Sequence, residues 1–368
     1  MNISAIDACV ASISPTRPLI SVLTRSLNRP ELARALQSVV EQSYRPLEVV
    51  VVAAGAEPFD LPEIDRGDVS MRLVSRGKPL AMSAAANVAL DEARGEFLIF
   101  LDDDDYFLPP HIEGLYTALS ADRDAVLAYS SAILENNAGE FTGLLSQPVQ
   151  YSPRPLHNYN FISIHCALFP RRFARECRFD ELLPLYGDWD FWLQISAFGR
   201  FIGTAQNTTC YRVESGTSGG GMGANANFEK RKIARVHIQK KHARQRNQLD
   251  AELREIAAKL DAAWQQSDFA KARLLCARSI ALNGDQADIL NWWALIAMQT
   301  QEWPLAEGLL RKSLHLIPNE PAALANFAQL YAATGELMHA RVYAHLACFM
   351  QPTSAALRNL AVRLGVLD

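Results

Sequence analysis

Four apolar runs rich in β-branched residues punctuate the first hundred residues, with two segments of helical period between them. "LISVLT" (19–24), "LEVVVVAAG" (47–55), "MRLVSR" (71–76) and "EFLIFLD" (96–102) read as strands. The second run is almost continuously apolar, as strands covered on both faces of a parallel sheet tend to be. "RPELARALQSVVEQS" (29–43) places Leu32, Leu36, Val39 and Val40 on one helical face, and "AMSAAANVALDEA" (81–93) reads as a second helix. The order β-α-β-β-α-β predicts a largely parallel sheet with helices on its faces.

Sheets of this kind bind ligands outside the carboxyl ends of their strands. "GEFLIFLDDDDYFLPP" (95–110) puts Asp102, Asp103, Asp104 and Asp105 at such an end. Four adjacent carboxylates repel one another, and burying them uncompensated is expensive. Two readings follow. The cluster is a solvated loop whose Asp caps the next helix, or it is a site for a divalent cation. Mg²⁺ and Mn²⁺ take hard oxygen ligands and share them with phosphates, so one or two carboxylates suffice.

At this point the chain resembles the family 2 glycosyltransferases of the GT-A fold, over roughly residues 18–240. "ISVLTRSLNRPELARALQSVVEQSYRPLEVVVV" is similar to that family's first strand, helix and second strand. "ANVALDEARGEFLIFLDDDDYFLPPHIE" is similar to its second helix, fourth strand and DxD motif. "HCALFPRRFARECRFDELLPLYGDWDFWLQIS" is similar to its acceptor-side segment and the helix with the catalytic base. The resemblance implies donor ribose or metal contact at Asp102, nucleotide-sugar binding at Asp102 and Asp103, metal binding at Asp104, and a lesser role for the following acid, Asp105. It implies the base at Asp188, beside Gly187 where the family usually has Glu, with Asp190 as a nearby second acid. An N-cap of the helix starting at "DWDFWLQIS" is the structural alternative for Asp188.

The implied reaction is inverting, metal-dependent transfer of a sugar from a nucleotide sugar, UDP-sugar by default, to an acceptor hydroxyl of a glycan, glycolipid or protein. Mn²⁺ or Mg²⁺ would neutralise the leaving diphosphate. A carboxylate on the opposite face would take the acceptor's proton. Trp189 and Trp192 either stack on sugar faces or join the core. His165 is either packed or touches acceptor or diphosphate.

The nucleotide pocket departs from the family pattern. Ala53 replaces the Asp of "DDGS", Arg25-Ser26-Leu27-Asn28 replaces "PTYN", and Ala86 replaces the Arg of "ARN" beside a retained Asn87. Ser26, Asn28, Arg29, Ala53, Lys78 and Asn87 are the remaining nucleotide-sugar candidates. Arg25, Arg76 or Lys78 could restore the missing cation. "YRVESGTS" (211–218) is similar to a family segment in which Arg212 or Ser218 would meet the diphosphate. The rival to an enzyme is a degenerate scaffold whose C-terminal helices act as an interaction module.

Hydrophobic content of 49%, charged content of 21% and a net charge of −4 fit a soluble globular protein with no nucleic-acid partner. Cys9, Cys166, Cys177, Cys210, Cys276 and Cys348 form no CxxC pair or zinc-spaced cluster, which suits an intracellular, cytoplasmic protein. Residues 1–17 read as a leader without signal-peptide features. "ESGTSGGGMGANAN" (214–227) reads as a mobile loop or linker, and 229–250 as a basic helical linker. Its segment 229–246 could touch anionic lipid at the inner face of a membrane, or be a solvated helix.

From 251 to 368 the pattern is all helical with a period of 34. Ala272, Ala306 and Ala340 share it, as do Phe269, Trp303 and Leu337, and Gly284, Pro318 and Pro352. Small residues where helices cross, and a breaker after the second helix, are the tetratricopeptide signature. The predicted fold is therefore an α/β GT-A domain (18–228) followed by an all-α tetratricopeptide-like domain. The latter would serve protein partners or self-association.

Overall fold

A computed structural model describes residues 17–145, 150–214 and 226–367. The leader apart from Arg17, Cys9, Ser218 and most of the glycine-rich stretch lie outside the described residues. The chain divides into two compact units. The first runs to His242, and the second comprises Ala243 onward with Ser152–Pro155.

The elements to the end of the first unit follow in order: β1 (Ile20–Ser26), α1 (Leu32–Val40), β2 (Leu47–Ala53), β3 (Ser70–Ser75), α2 (Met82–Glu92), β4 (Phe97–Phe100), β5 (Tyr106–Phe107), α3 (His111–Ala121), β6 (Ala125–Glu135), β7 (Phe141–Leu144), α4 (Pro153–Leu156), β8 (Ala167–Pro170), α5 (Phe173–Glu176), α6 (Gly187–Ile195), β9 (Arg200–Arg212) and α7 (Phe228–Lys241). The strands form one sheet in the order β3-β2-β1-β4-β8-β6-β9-β5, with β7 on β6. β3, β2, β1 and β4 are parallel, as the apolar runs predict. Beyond β4 the sheet turns mixed, because β8 runs antiparallel to both β4 and β6.

The continuous apolar run of β2 has a plain cause. Val50 and Val52 pack into a core on one face of the sheet, with Phe100, Trp189 and Phe191. Val49 and Val51 pack into a second core on the other face, with α1 and α3 residues such as Leu36 and Leu115. Side chains alternate across a strand, so a strand covered twice needs apolar residues at every position.

The expected linker 229–250 is not one element. α7 belongs to the first unit, where Ala234 and Ile238 join its core and are fully buried. The second unit begins with α8 (Ala243–Gln265) and α9 (Phe269–Asn283), followed by α10 (Ala287–Gln299), α11 (Trp303–Leu316), α12 (Pro321–Ala333), α13 (Leu337–Met350) and α14 (Ala355–Arg363). α9, α11 and α13 start 34 residues apart, and so do α10, α12 and α14. The turns repeat too. Ser267, Gln301 and Gly335 hold positive φ, and the next residue's N–H in each turn bonds a carbonyl five residues back. Ala272, Ala306 and Ala340 are fully buried at the helix crossings. This is a tetratricopeptide-like array. Among the described residues no helix is long and apolar enough to cross a membrane.

Candidate functional site

β1 and β4 are neighbours in parallel register, with Leu23 opposite Phe100. Two residues further on each strand, Arg25 therefore faces Asp102. The Arg25 guanidinium donates to both Asp102 oxygens, Nε to Oδ1 at 3.0 Å and Nη2 to Oδ2 at 2.7 Å. A turn follows, closed by the Asp105 N–H on the Asp102 carbonyl at 3.2 Å, and it sends the next carboxylates in different directions.

Asp103 turns back toward β1. Its Oδ2 accepts from Ser26 Oγ at 2.8 Å and from the Leu27 N–H at 3.0 Å. Burial pushes its carboxyl above the usual range, against the pull of Arg29 and the Ser26 hydrogen bond. Arg29 Nη1 lies 2.9 Å from an oxygen of Asp103 and 2.9 Å from one of Asp104. Asp105 accepts from the Arg212 backbone N–H at 2.9 Å and pairs with His165 Nδ1 at 3.1 Å. Burial opposes charge on His165, but Asp105 overrides it and raises the imidazole well above its ordinary value.

These carboxylates line a cleft of about 300 Å³ with Arg25, Ser26, Leu27, Arg29, Ala54, Leu80, Met82, Pro184, Tyr211 and Lys230. A second cleft of about 330 Å³ shares Arg25, Met82, Asp102, Asp105 and Tyr211 with the first. It continues past His165 and Asn160 to Asp188 and the rings of Tyr159, Phe161 and Tyr186. Asp188 sits in the first turn of α6, behind Tyr186 in left-handed conformation. Its Oδ2 accepts from Asn160 Nδ2 at 2.9 Å, and its Oδ1 from the Trp189 N–H at 2.9 Å. Burial raises the Asp188 carboxyl above the usual range, against those two bonds and the nearby Arg25. A half-buried carboxylate with a raised pKa at a cleft wall suits a general base.

The residues fit a divalent cation of a particular kind. One guanidinium nitrogen already sits between Asp103 and Asp104, so the rim is shaped to hold positive charge. Yet among the described residues no group of three or more His, Cys, Asp or Glu side chains is arranged to hold a metal. The donor set suits an ion held jointly by protein and phosphates, not by protein alone.

Several sequence candidates lie elsewhere. Asp190 is fully buried and lines neither cleft. Its oxygens accept from Lys241 Nζ, His242 Nε2 and Gln194 Nε2, each at 2.8 Å, which ties α7 to α6. Trp189 and Trp192 are core residues whose indole N–H groups reach the Leu156 and Ile162 carbonyls. Asn87 turns inward, clamping the Phe179 backbone and Glu181. Lys78 is exposed and outside both clefts, and Arg76 pairs with Glu92. Arg212 sends its guanidinium to Glu31 and the Asn137 carbonyl, and its backbone N–H reaches Asp105. Ala53 is buried at the end of β2, with Ala54 taking its place at the cleft, and Asn28 lines neither cavity. Asn160, Tyr186, Tyr211 and Lys230 are site residues that sequence reasoning missed. Only Tyr211, within the "YR" segment, and Lys230, within the basic run, carried any signal.

Residues 21–178 match the model of glycosyl transferase family 2. This stretch is therefore similar to the family 2 glycosyltransferases. An uncharacterized glycosyltransferase of Methanocaldococcus jannaschii is 24% identical over 191 residues, 49% of this chain and 66% of that protein. The chain thus spans about two thirds of that relative's length. An Escherichia coli protein named as UDP-Glc:α-D-GlcNAc-diphosphoundecaprenol β-1,3-glucosyltransferase is 22% identical over 205 residues, 54% of this chain and 79% of that protein. Among solved structures, S. aureus TarS 1–349 in complex with UDP-GlcNAc is 13% identical, covers 91% of this chain and 93% of that one, and superposes with a TM-score of 0.44. That likeness is too loose to bear on chemistry.

Proposed function

We propose that this protein transfers a sugar from a nucleotide diphosphate sugar to an acceptor hydroxyl, with inversion at the anomeric carbon. The observation that carries the reading is the pair of joined clefts. One is rimmed by Asp102–Asp105 with Arg25 and Arg29, and the other ends at Asp188. Donor and acceptor must meet with leaving group and base on opposite sides of the reacting carbon, and the shared wall of Arg25 and Asp102 lies between the two.

In this reading the first cleft takes the nucleotide diphosphate, and a UDP-sugar is the default donor, in keeping with the activity for which the E. coli relative is named. Asp104, with Asp102 beside it, would hold Mg²⁺ or Mn²⁺ together with the phosphates. Bound there, the ion supplies Lewis-acid neutralisation of the departing diphosphate. Asp188 accepts the acceptor's proton at its carboxylate, and Asn160 fixes the orientation of that carboxylate. Asp102 holds Arg25 against the wall of both clefts, which fixes the guanidinium as a neutralised ion pair beside the reacting centre. Tyr159, Tyr186 and Phe161 offer flat faces on which an acceptor pyranose stacks.

The test is donor turnover. Incubation with Mn²⁺ and a panel of UDP-, GDP- and dTDP-sugars should release nucleoside diphosphate from at least one, and UDP plus metal should raise the melting temperature. Absence of both effects across the panel would leave a scaffold as the better account.

A further inference from the structure

Within the first unit α7 does more than pack. Lys230, Ala234 and Ile238 follow at i, i+4 and i+8, so they lie along one helical face. Ala234 and Ile238 are fully buried on that face. Lys241, one turn further, is fixed to Asp190 and Asp180. Lys230 at the opposite end of the same face lines the first cleft. Lys232, Arg235 and Lys240 are exposed and off this face.

The charge balance of the cleft gives this placement a consequence. Four carboxylates line it, and both arginines there are already committed: Arg25 to Asp102, and Arg29 to Asp103 and Asp104. Lys230 makes no ion pair among the described residues. An anionic ligand entering an acidic rim needs a cation that is not already spent on a carboxylate.

We propose that Lys230 is a diphosphate-binding residue of this site, contributing from α7 a positive charge not paired with a carboxylate of the rim. The inference rests on the nucleotide-sugar reading above and adds to it a specific residue outside the matched domain, 21–178. An ammonium on a flexible stem is a point-charge partner for phosphate and can follow the diphosphate as it departs. The anchored face of α7 fixes where that stem begins, while the exposed head keeps its reach.

The test is UDP affinity by titration calorimetry on the full-length protein with Mg²⁺. Lys230→Ala should weaken UDP binding by about tenfold, the lower end of what a charge-assisted hydrogen bond contributes. Lys230→Arg should restore most of it, and Lys232→Ala should stay within about twofold of wild type, as a contact that weakens with distance requires. Melting temperatures should not move, because among the described residues the Lys230 side chain makes no ion pair, and its backbone N–H keeps the Asn227 cap in any variant. Lys230→Ala binding UDP as wild type does would overturn the assignment while leaving the glycosyltransferase reading intact. An equal loss in Lys232→Ala would overturn it too, by showing a general charge effect. Wild-type protein that binds neither UDP nor GDP would overturn the parent reading and this one together.

Discussion

Asp188 and Asp190 stand two residues apart on α6, and the structure gives them opposite fates. Asp190 is fully buried with three donors on its two oxygens. Removing one member of a buried ion pair costs about 3–5 kcal/mol. Here the Lys241 side chain is 35% exposed and keeps Asp180 at 2.9 Å, so water and a second carboxylate absorb part of the loss. Asp190→Ala should therefore destabilise the first unit by about 2–3 kcal/mol, which for a unit of this size lowers its melting temperature by roughly 4–12 °C. Asp188 differs in sign. Burial raises its folded-state pKa, so whatever stability its protonated form contributes at low pH is lost as pH rises through that value. At pH 7 its charge opposes folding, and Asp188→Asn should be neutral or stabilising by up to about 1 kcal/mol. Calorimetry at pH 7, resolving the transitions of the two units, measures both. An Asp190→Ala transition within about 0.5 kcal/mol of wild type would refute the anchoring role. So would an Asp188→Asn protein as destabilised as Asp190→Ala.

Other consequences can be checked on the same protein. Asp104→Ala should lose metal-dependent UDP affinity, by about tenfold or more, while UDP binding in EDTA is unchanged; Arg29 keeps Asp103, so the fold survives. In the proposed mechanism the ionised form of Asp188 is the base, and its pKa is raised, so turnover should rise with pH through an acid limb lying above the ordinary carboxylate value of about 4. A pH–rate profile flat down to about pH 4 would count against that assignment. In the second unit, Ala306→Leu puts three extra carbons into a fully buried helix crossing, and should cost about 1–3 kcal/mol in that unit's transition alone.

Much of this was legible in the chain because particular residues leave little choice. The unbroken "VVVV" of β2 suits a strand covered on both faces, and the 34-residue spacing of Ala272, Ala306 and Ala340 suits stacked helical hairpins. The strands beyond β4 were not legible. β5 and β8 are two and four residues long, too short for a pattern, and β9 runs through polar residues at a half-exposed position. Within the site, the strand end that carries Asp102–Asp105 could be read from sequence, but their partners could not. Arg25 and Arg29 are brought to them by strand pairing across more than seventy residues of chain. Asp190 was a misreading with a visible cause: residues two apart on a helix point to opposite sides, so it could not share a cleft with Asp188. Lys230 was hidden because a basic run has no amphipathic signal of its own, and only the buried Ala234 and Ile238 reveal which cation faces inward.

The most direct test of the whole account is the rate at which Asp188→Asn turns over a donor that wild type accepts, with UDP affinity measured on the same sample. The account predicts a loss of about 100-fold or more in turnover and affinity within about threefold of wild type. Turnover at the wild-type rate would remove Asp188 as the proton acceptor, and with it the assignment of the second cleft.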